Sequence, residues 1–447
     1  MEDTIAAIST ALGVGAISII RVSGPESISI VNKIFDKDLT KAKSHTIHYG
    51  HIIENNALID EVLVSIMLAP KTFTKEDIIE INCHGGISTT NKVLELLLTS
   101  GARLAEPGEF TKRAFLNGRI DLTQAEGIMN LIESKTDASR IMAINQLTGN
   151  VSSLISSLRT KLTDIISNIE VNIDYPEYED IEVLTNNKIY PSIINFKEKI
   201  TEIIKNAENA KLINEGIKIG IIGKPNVGKS SLLNALLEEK KAIVTDIEGT
   251  TRDIVEGNFI INGVLFHILD TAGIRKTDDI VEQIGVNKSL EIIDNADLIL
   301  FVLNNNESLT EEEKTILNKL KNKKYLIVIN KIDLSNKLQI ENNNIIKLSI
   351  KKNIGLEDLK NKIIEIFNLG QIVTKDMTYL SNARSIALLK KSSKIIDEII
   401  ENIRNNTPID IIEMDLKECW NVLGDIIGET YKDELIDEIF SRFCLGK

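Results

Sequence analysis

The chain is poor in the residues that staple a fold or span a membrane. Its 447 residues include three cysteines, Cys83, Cys419 and Cys444. An odd number at such separations fits neither a disulfide framework nor a zinc-binding spacing, so reduced thiols are expected. Long apolar runs are missing too. A stretch such as Leu298–Leu303 falls far short of the ~20 residues a bilayer helix needs, and no span is expected. The first residues are acidic and β-like where a secretory leader would carry a basic and then an apolar region, which makes the cytoplasm the expected compartment. Positive charge is in deficit, with a net charge of −13 and a pI near 5.1. That excludes a general basic surface that coats nucleic acid and leaves room only for local RNA contacts.

The length suggests two to four domains of roughly 100–200 residues each. Residues 1–118 read as α+β, with strand-like runs at Ile5–Ser9, Gly15–Val22, Thr46–Ile53, Glu61–Leu68 and Ile78–Asn82 broken by Gly and Pro. Residues 119–212 read as helical. Val151, Ile155, Leu158, Leu162, Ile165 and Ile169 step by four and three, the stripe of a helix packed on other helices. Over 213–372 the pattern becomes strand, loop, helix, repeated, as a doubly wound parallel sheet requires. Its buried strands are Ile217–Ile222, Leu265–Leu269, Leu298–Leu303 and Tyr325–Ile329. Helical periodicity returns over 373–447 with Ile386, Leu389, Ile396 and Ile399, then Ile412, Leu416, Trp420 and Leu423. The fold class is therefore an α/β domain inserted into an all-α helical bundle and preceded by an α+β domain.

The inserted domain carries the chemistry. Gly223-Lys224-Pro225-Asn226-Val227-Gly228-Lys229-Ser230 follows an apolar strand and opens a helical run at Ser231, matching G-x4-G-K-[ST] in its required context. Backbone N–H groups in such a loop curl around phosphate, Lys229 reaches the outer phosphates, and Ser230 offers a hydroxyl to Mg²⁺. Asp270-Thr271-Ala272-Gly273 follows the strand ending at Leu269, which places Asp270 near the metal and lets Gly273 approach the γ-phosphate. Asn330-Lys331-Ile332-Asp333 ends another strand, and a carboxylate there accepts from both N1–H and the N2 amine of guanine, a pair that adenine does not offer. Asn-Lys occurs nine times in the chain, but only at Asn330 does Asp follow two positions later. Ser349 lies where the backbone behind the base would be. GTP is the expected nucleotide.

Ile274 follows Gly273, where many GTPases place a water-orienting glutamine. The local alternative is Thr245-Asp246-Ile247-Glu248-Gly249-Thr250-Thr251. There Thr251 can complete the Mg²⁺ shell, while Asn226, Thr245, Ile247 and Thr250 can enclose a monovalent cation beside the phosphates, with an ordinary Thr-rich switch loop as the alternative. Asp278, Asp279 and Glu282 form an acidic cluster downstream, and a carboxylate there can hold the attacking water, with a solvated acidic face as the alternative.

Together these residues resemble the TrmE/MnmE family of tRNA modification GTPases, and the resemblance runs the whole chain. The ends discriminate: Phe443-Cys444-Leu445-Gly446-Lys447 is similar to the family's Phe-Cys-x-Gly-Lys terminus. Glu80-Ile-Asn-Cys-His84-Gly85-Gly86 and the segment from Pro107 to Leu122 match its N-terminal and hinge motifs. The resemblance implies an N-terminal domain that forms a homodimer and holds formyl- or methylene-tetrahydrofolate through Arg21, Glu80, Arg119 and Lys447. It implies K⁺ as the monovalent ion, Glu282 and Lys229 as catalytic groups, tRNA as substrate, and a flavin-dependent MnmG-type partner. The reaction would attach a carboxymethylaminomethyl-type group to carbon 5 of wobble uridine U34. Arg119 stands where the family often has Lys. For Cys444 packing is the favoured reading, with a nucleophilic thiol beside Lys447 as the alternative. The rival functions are a ribosome-assembly GTPase, which should carry a basic Gly-x-x-Gly RNA module not visible here, and a regulatory GTPase acting on proteins alone.

Overall fold

The structure, a computed structural model, describes residues 3–174, 188–237, 255–269, 291–367, 380–429, 433–443 and 446. The first half runs β1 (Ile5–Ile8), β2 (Ile17–Ser23), α1 (Ser27–Asn32), β3 (Thr46–Glu54), β4 (Ala57–Met67), β5 (Ile78–His84), α2 (Ile87–Thr99), β6 (Arg103–Leu104), α3 (Glu109–Leu116), α4 (Leu122–Glu133), α5 (Asp137–Leu147) and α6 (Asn150–Asp174). Then come α7 (Tyr190–Glu215), β7 (Ile217–Ile222), α8 (Lys229–Leu237), β8 (Val255–Ile261), β9 (Val264–Leu269), β10 (Leu298–Asn304), α9 (Glu311–Leu320), β11 (Tyr325–Asn330), β12 (Ile345–Lys347) and α10 (Leu356–Ile366). Three helices close the chain: α11 (Ala383–Arg404), α12 (Ile409–Ile427) and α13 (Asp433–Ser441).

Two compact units result. The first gathers Met1–Met129, Ser152–Thr160 and Trp420–Lys447. Its sheet has the order β3-β4-β5-β2-β1-β6, antiparallel except for the β1–β6 pair. In β4 burial alternates, with Val62, Val64 and Ile66 inward and Glu61 and Leu63 outward, the period-2 pattern of a half-covered strand. The inward set meets Ile30 and Val31 of α1 and Val93 and Leu97 of α2 in one core. On the opposite face Phe110 of α3 packs against Ile5, Ala7 and Ala105. Phe440 and Phe443 from the C-terminal segment pack with Phe115 and Leu122.

The second unit comprises Asn130–Val151 and Lys161–Cys419. Its sheet has the order β12-β11-β10-β7-β9-β8 and is parallel apart from the β8–β9 hairpin. A parallel sheet is covered on both faces, so its strands are apolar throughout. Side chains divide by parity: Leu298, Leu300 and Val302 join Ile219, Ile221, Leu326 and Val328 in one cluster, while Ile299, Phe301 and Leu303 join Ile222, Ile327 and Ile329 in another. Removing the fully buried Phe301 ring would cost about 3–5 kcal/mol. Beside the sheet, α7 packs along α11. Lys197 Nζ donates to Ser393 Oγ at 2.8 Å and pairs with Asp397 at 2.6 Å. The chain thus places an α/β domain between the long helices α7 and α11.

Candidate functional site

The parallel strands β7, β9, β10 and β11 end together at one sheet edge, the edge where a doubly wound fold has its ligand crevice. From β7 the chain enters the loop 223–228, which turns through Asn226 at φ +61° and Gly228 at φ +101° before α8 begins at Lys229. Glycine is required at 228, because a Cβ there would lie 2.2 Å from Asn330 Nδ2. That contact has a purpose. Asn330 Nδ2 donates to the Val227 carbonyl at 2.9 Å, and Lys331 Nζ donates to the Asn226 carbonyl at 2.7 Å. Asn330 Oδ1 in turn accepts the Lys331 amide at 2.8 Å, with Lys331 itself at φ +64°.

Asp333 lies next to this junction, and its Oδ1 accepts the hydroxyl of the fully buried Ser349 at 2.6 Å. The Ser349 hydroxyl, followed by Lys352 and Lys351 nearby, holds the Asp333 carboxyl below the usual carboxylate range against some desolvation. An ionised carboxylate with one oxygen fixed by Ser349 retains acceptor capacity for a paired N–H donor. Lys229 Nζ donates to the carbonyls of Gly223 at 2.7 Å and Lys224 at 2.6 Å, and burial pushes its ammonium below the ordinary value. Thr245, Asp246, Ile247, Glu248, Gly249, Thr250, Thr251, Asp270, Thr271, Ala272, Gly273 and Glu282 lie outside the described residues, as do Cys444 and Lys447.

A second cluster forms in the first unit. The β2–β5 register sets Arg21 opposite Glu80. Arg21 Nε and Nη2 both meet Glu80 Oε1, at 2.9 and 2.8 Å, and the guanidinium lies 5.6 Å from the Phe110 ring centroid. Arg119 lies over the Phe73 ring at 4.9 Å, and Phe73 packs against the Phe110 cluster. The two arginines therefore flank one apolar group. Gly446 approaches the same strands: its carbonyl accepts Ser9 Oγ at 3.1 Å and faces Arg21 Nη1 at 3.5 Å. At the end of β5, Asp60 accepts the His84 amide at 2.8 Å and Nδ1 at 2.6 Å, which raises the pKa of this exposed imidazole.

The chain's relatives give these clusters a context. The family description "GTP-binding protein TrmE N-terminus" matches residues 4–119, and "MnmE helical domain" matches residues 122–444. Over 455 residues the chain is 51% identical to the tRNA modification GTPase MnmE of Bacillus mycoides (strain KBAB4), an alignment covering 100% of this chain and 99% of that protein. The tRNA modification GTPase MnmE of Bacillus cytotoxicus gives the same figures, 51% identity with 100% and 99% covered. The chain belongs to the MnmE family of tRNA modification GTPases. As a member of the MnmE family it is a GTP hydrolase acting in tRNA modification. A crystal structure of Era in complex with MgGDPNP and nucleotides 1506–1542 of 16S ribosomal RNA is 31% identical over 34% of this chain and 56% of that one, with a TM-score of 0.26.

Among the described residues of this MnmE family member, no helix is long and apolar enough to cross a membrane. Cys83 and Cys419 are free and buried, and burial raises both thiol pKa values, that of Cys419 to about 12. Sequence reasoning gave no role of their own to Phe73, Phe110, Asp60, Lys224 and Glu313. Aromatic rings beneath arginines leave no local signal. Glu313 did leave one: Thr310-x-x-Glu313 ahead of an apolar run is a capping box.

Proposed function

We propose that the loop 223–230 holds the phosphates of GTP while Asp333, steadied by Ser349, reads guanine, and that hydrolysis serves modification of wobble uridine at carbon 5. The observation that carries this is the Asn330–Val227 hydrogen bond, 2.9 Å long, which ties the base-reading segment to the phosphate loop. Lys229 neutralises the outer phosphates. Ser230 with Thr251 would hold Mg²⁺, and Asn226 with Thr245, Ile247 and Thr250 would hold K⁺. Such cations offset charge developing on the phosphates. Glu282 orients the attacking water, and Asp270 to Gly273 respond to the γ-phosphate.

Residues 1–118 form the dimerisation and folate-binding domain, 119–212 and 373–447 the helical domain, and 213–372 the GTPase domain. Arg21, Glu80, Arg119 and Lys447 contact a formyl- or methylene-tetrahydrofolate, with the Phe110 and Phe73 rings as its apolar support. A flavin-dependent MnmG-type protein completes the reaction on tRNA in the cytoplasm. The test is GTP turnover in KCl against NaCl at equal ionic strength, with and without 5-formyl-tetrahydrofolate. We expect turnover about tenfold faster in KCl, and calorimetric folate binding that Arg21→Ala removes. Equal rates in both salts would reject the monovalent-cation shell, and folate binding unaffected by Arg21→Ala would reject the folate assignment.

A further inference from the structure

Glu313 is the third residue of α9 and completes a capping box with Thr310. Its Oε2 accepts the Thr310 amide at 2.9 Å and the Thr310 hydroxyl at 3.0 Å. A capping box asks only for an acceptor oxygen at this position, and a glutamine supplies one as well as a glutamate does. Here the group is a carboxylate, and it is 6% exposed. A buried charge is costly unless it is paired. The partner is Lys224 of the phosphate loop, whose Nζ lies 3.3 Å from the same Oε2.

Lys224 has a second engagement through its backbone. Its carbonyl accepts Lys229 Nζ at 2.6 Å, alongside the Gly223 carbonyl at 2.7 Å. Lys224 is thus held by its side chain to the start of α9 and, through its main chain, holds the lysine that faces the phosphates. Pro225 follows directly and carries no amide hydrogen, so the backbone there has one anchoring donor fewer.

We propose that Glu313 is a positioning residue for GTP binding and hydrolysis: through Lys224 it fixes the carbonyls that aim Lys229. This rests on the reading of Lys229 as the phosphate-facing lysine. In the full chain, Glu313→Gln keeps the cap and removes the charge, while Lys224→Met removes the partner. Each variant is expected to raise the Kd of a fluorescent GTP analogue on the order of fivefold, as loss of a partly buried charge-assisted contact does. The double variant should lose no more affinity than either single one, Lys224→Arg should keep most of the affinity, and the melting temperature of Glu313→Gln, which removes the charge and keeps the cap, should stay within about 2 °C. Additive losses would overturn the proposal. So would unchanged affinity in Lys224→Met, or a lowered melting temperature with unchanged affinity in Glu313→Gln, which is the signature of a cap alone. Lys229→Ala separates the two levels. If it leaves nucleotide affinity intact, the phosphate-loop reading fails; if it abolishes binding while Glu313→Gln and Lys224→Met are silent, only the link through Lys224 fails.

Discussion

Asn330 and Val227 are 103 residues apart in sequence and joined by a 2.9 Å hydrogen bond from the Asn330 amide to the Val227 carbonyl. The bond is buried, and Gly228 beside it has no room for a Cβ. A buried side-chain amide that loses its acceptor costs about 1–3 kcal/mol. The loop 223–228 and the segment that starts at Asn330 are therefore tied together at this point.

Base choice should follow Asp333. In Asp333→Asn the side chain keeps its place beside Ser349 but gains a donor, which suits the 2-oxo group of xanthine and loses the paired acceptor for guanine. GTP affinity should fall at least about tenfold and affinity for xanthosine triphosphate should rise. Competition binding with both nucleotides measures this, and an unchanged preference for GTP would remove Asp333 from the base-reading role.

The C-terminal glycine should be irreplaceable. Gly446 sits at φ +85°, and a Cβ there would lie 2.2 Å from the Ile8 carbonyl. Gly446→Ala combines that clash with a left-handed conformation costing roughly 1–2 kcal/mol. The segment should leave its seat beside Ser9 and Arg21, so that affinity for 5-formyl-tetrahydrofolate in calorimetry drops while GTP hydrolysis is unaffected. Full folate affinity in this variant would show that the seat of Gly446 has no part in folate binding.

His84 should make stability pH-dependent. The hydrogen bond and charge of Asp60 raise the folded-state pKa of His84 above its unfolded value near 6.5. The sign follows: the contribution is fully present below about pH 6.5 and is lost as pH rises through the folded-state value. The gap in stability between the parent chain and Asp60→Asn should therefore narrow between pH 5.5 and pH 8.5 in urea melts. An NMR titration in which Asp60→Asn leaves the His84 pKa unmoved would refute the coupling.

Much of this was legible from local pattern. The strands β7, β10 and β11 announce themselves because a sheet covered on both faces needs uninterrupted apolar runs, and the helix stripes at Val151–Ile169 and Ile386–Ile399 repeat with the helical period. The loop at Gly223–Ser230 is equally readable, since its glycines, Lys229 and Ser230 are contiguous and their spacing is itself the geometry.

Relations between distant residues are of another kind. That Arg21 faces Glu80 depends on the β2–β5 register, and a slip of one residue would put the two side chains on opposite faces of the sheet. That Glu313 answers Lys224, and that Gly446 lies against Ile8, depends on long connections closing in one particular way. Local composition specifies elements because propensity and hydrophobic period act over a few residues. It does not specify which charge ends up buried beside which, because that is set by the packing of whole elements, and a charge finds its partner only once water has been excluded from the pair.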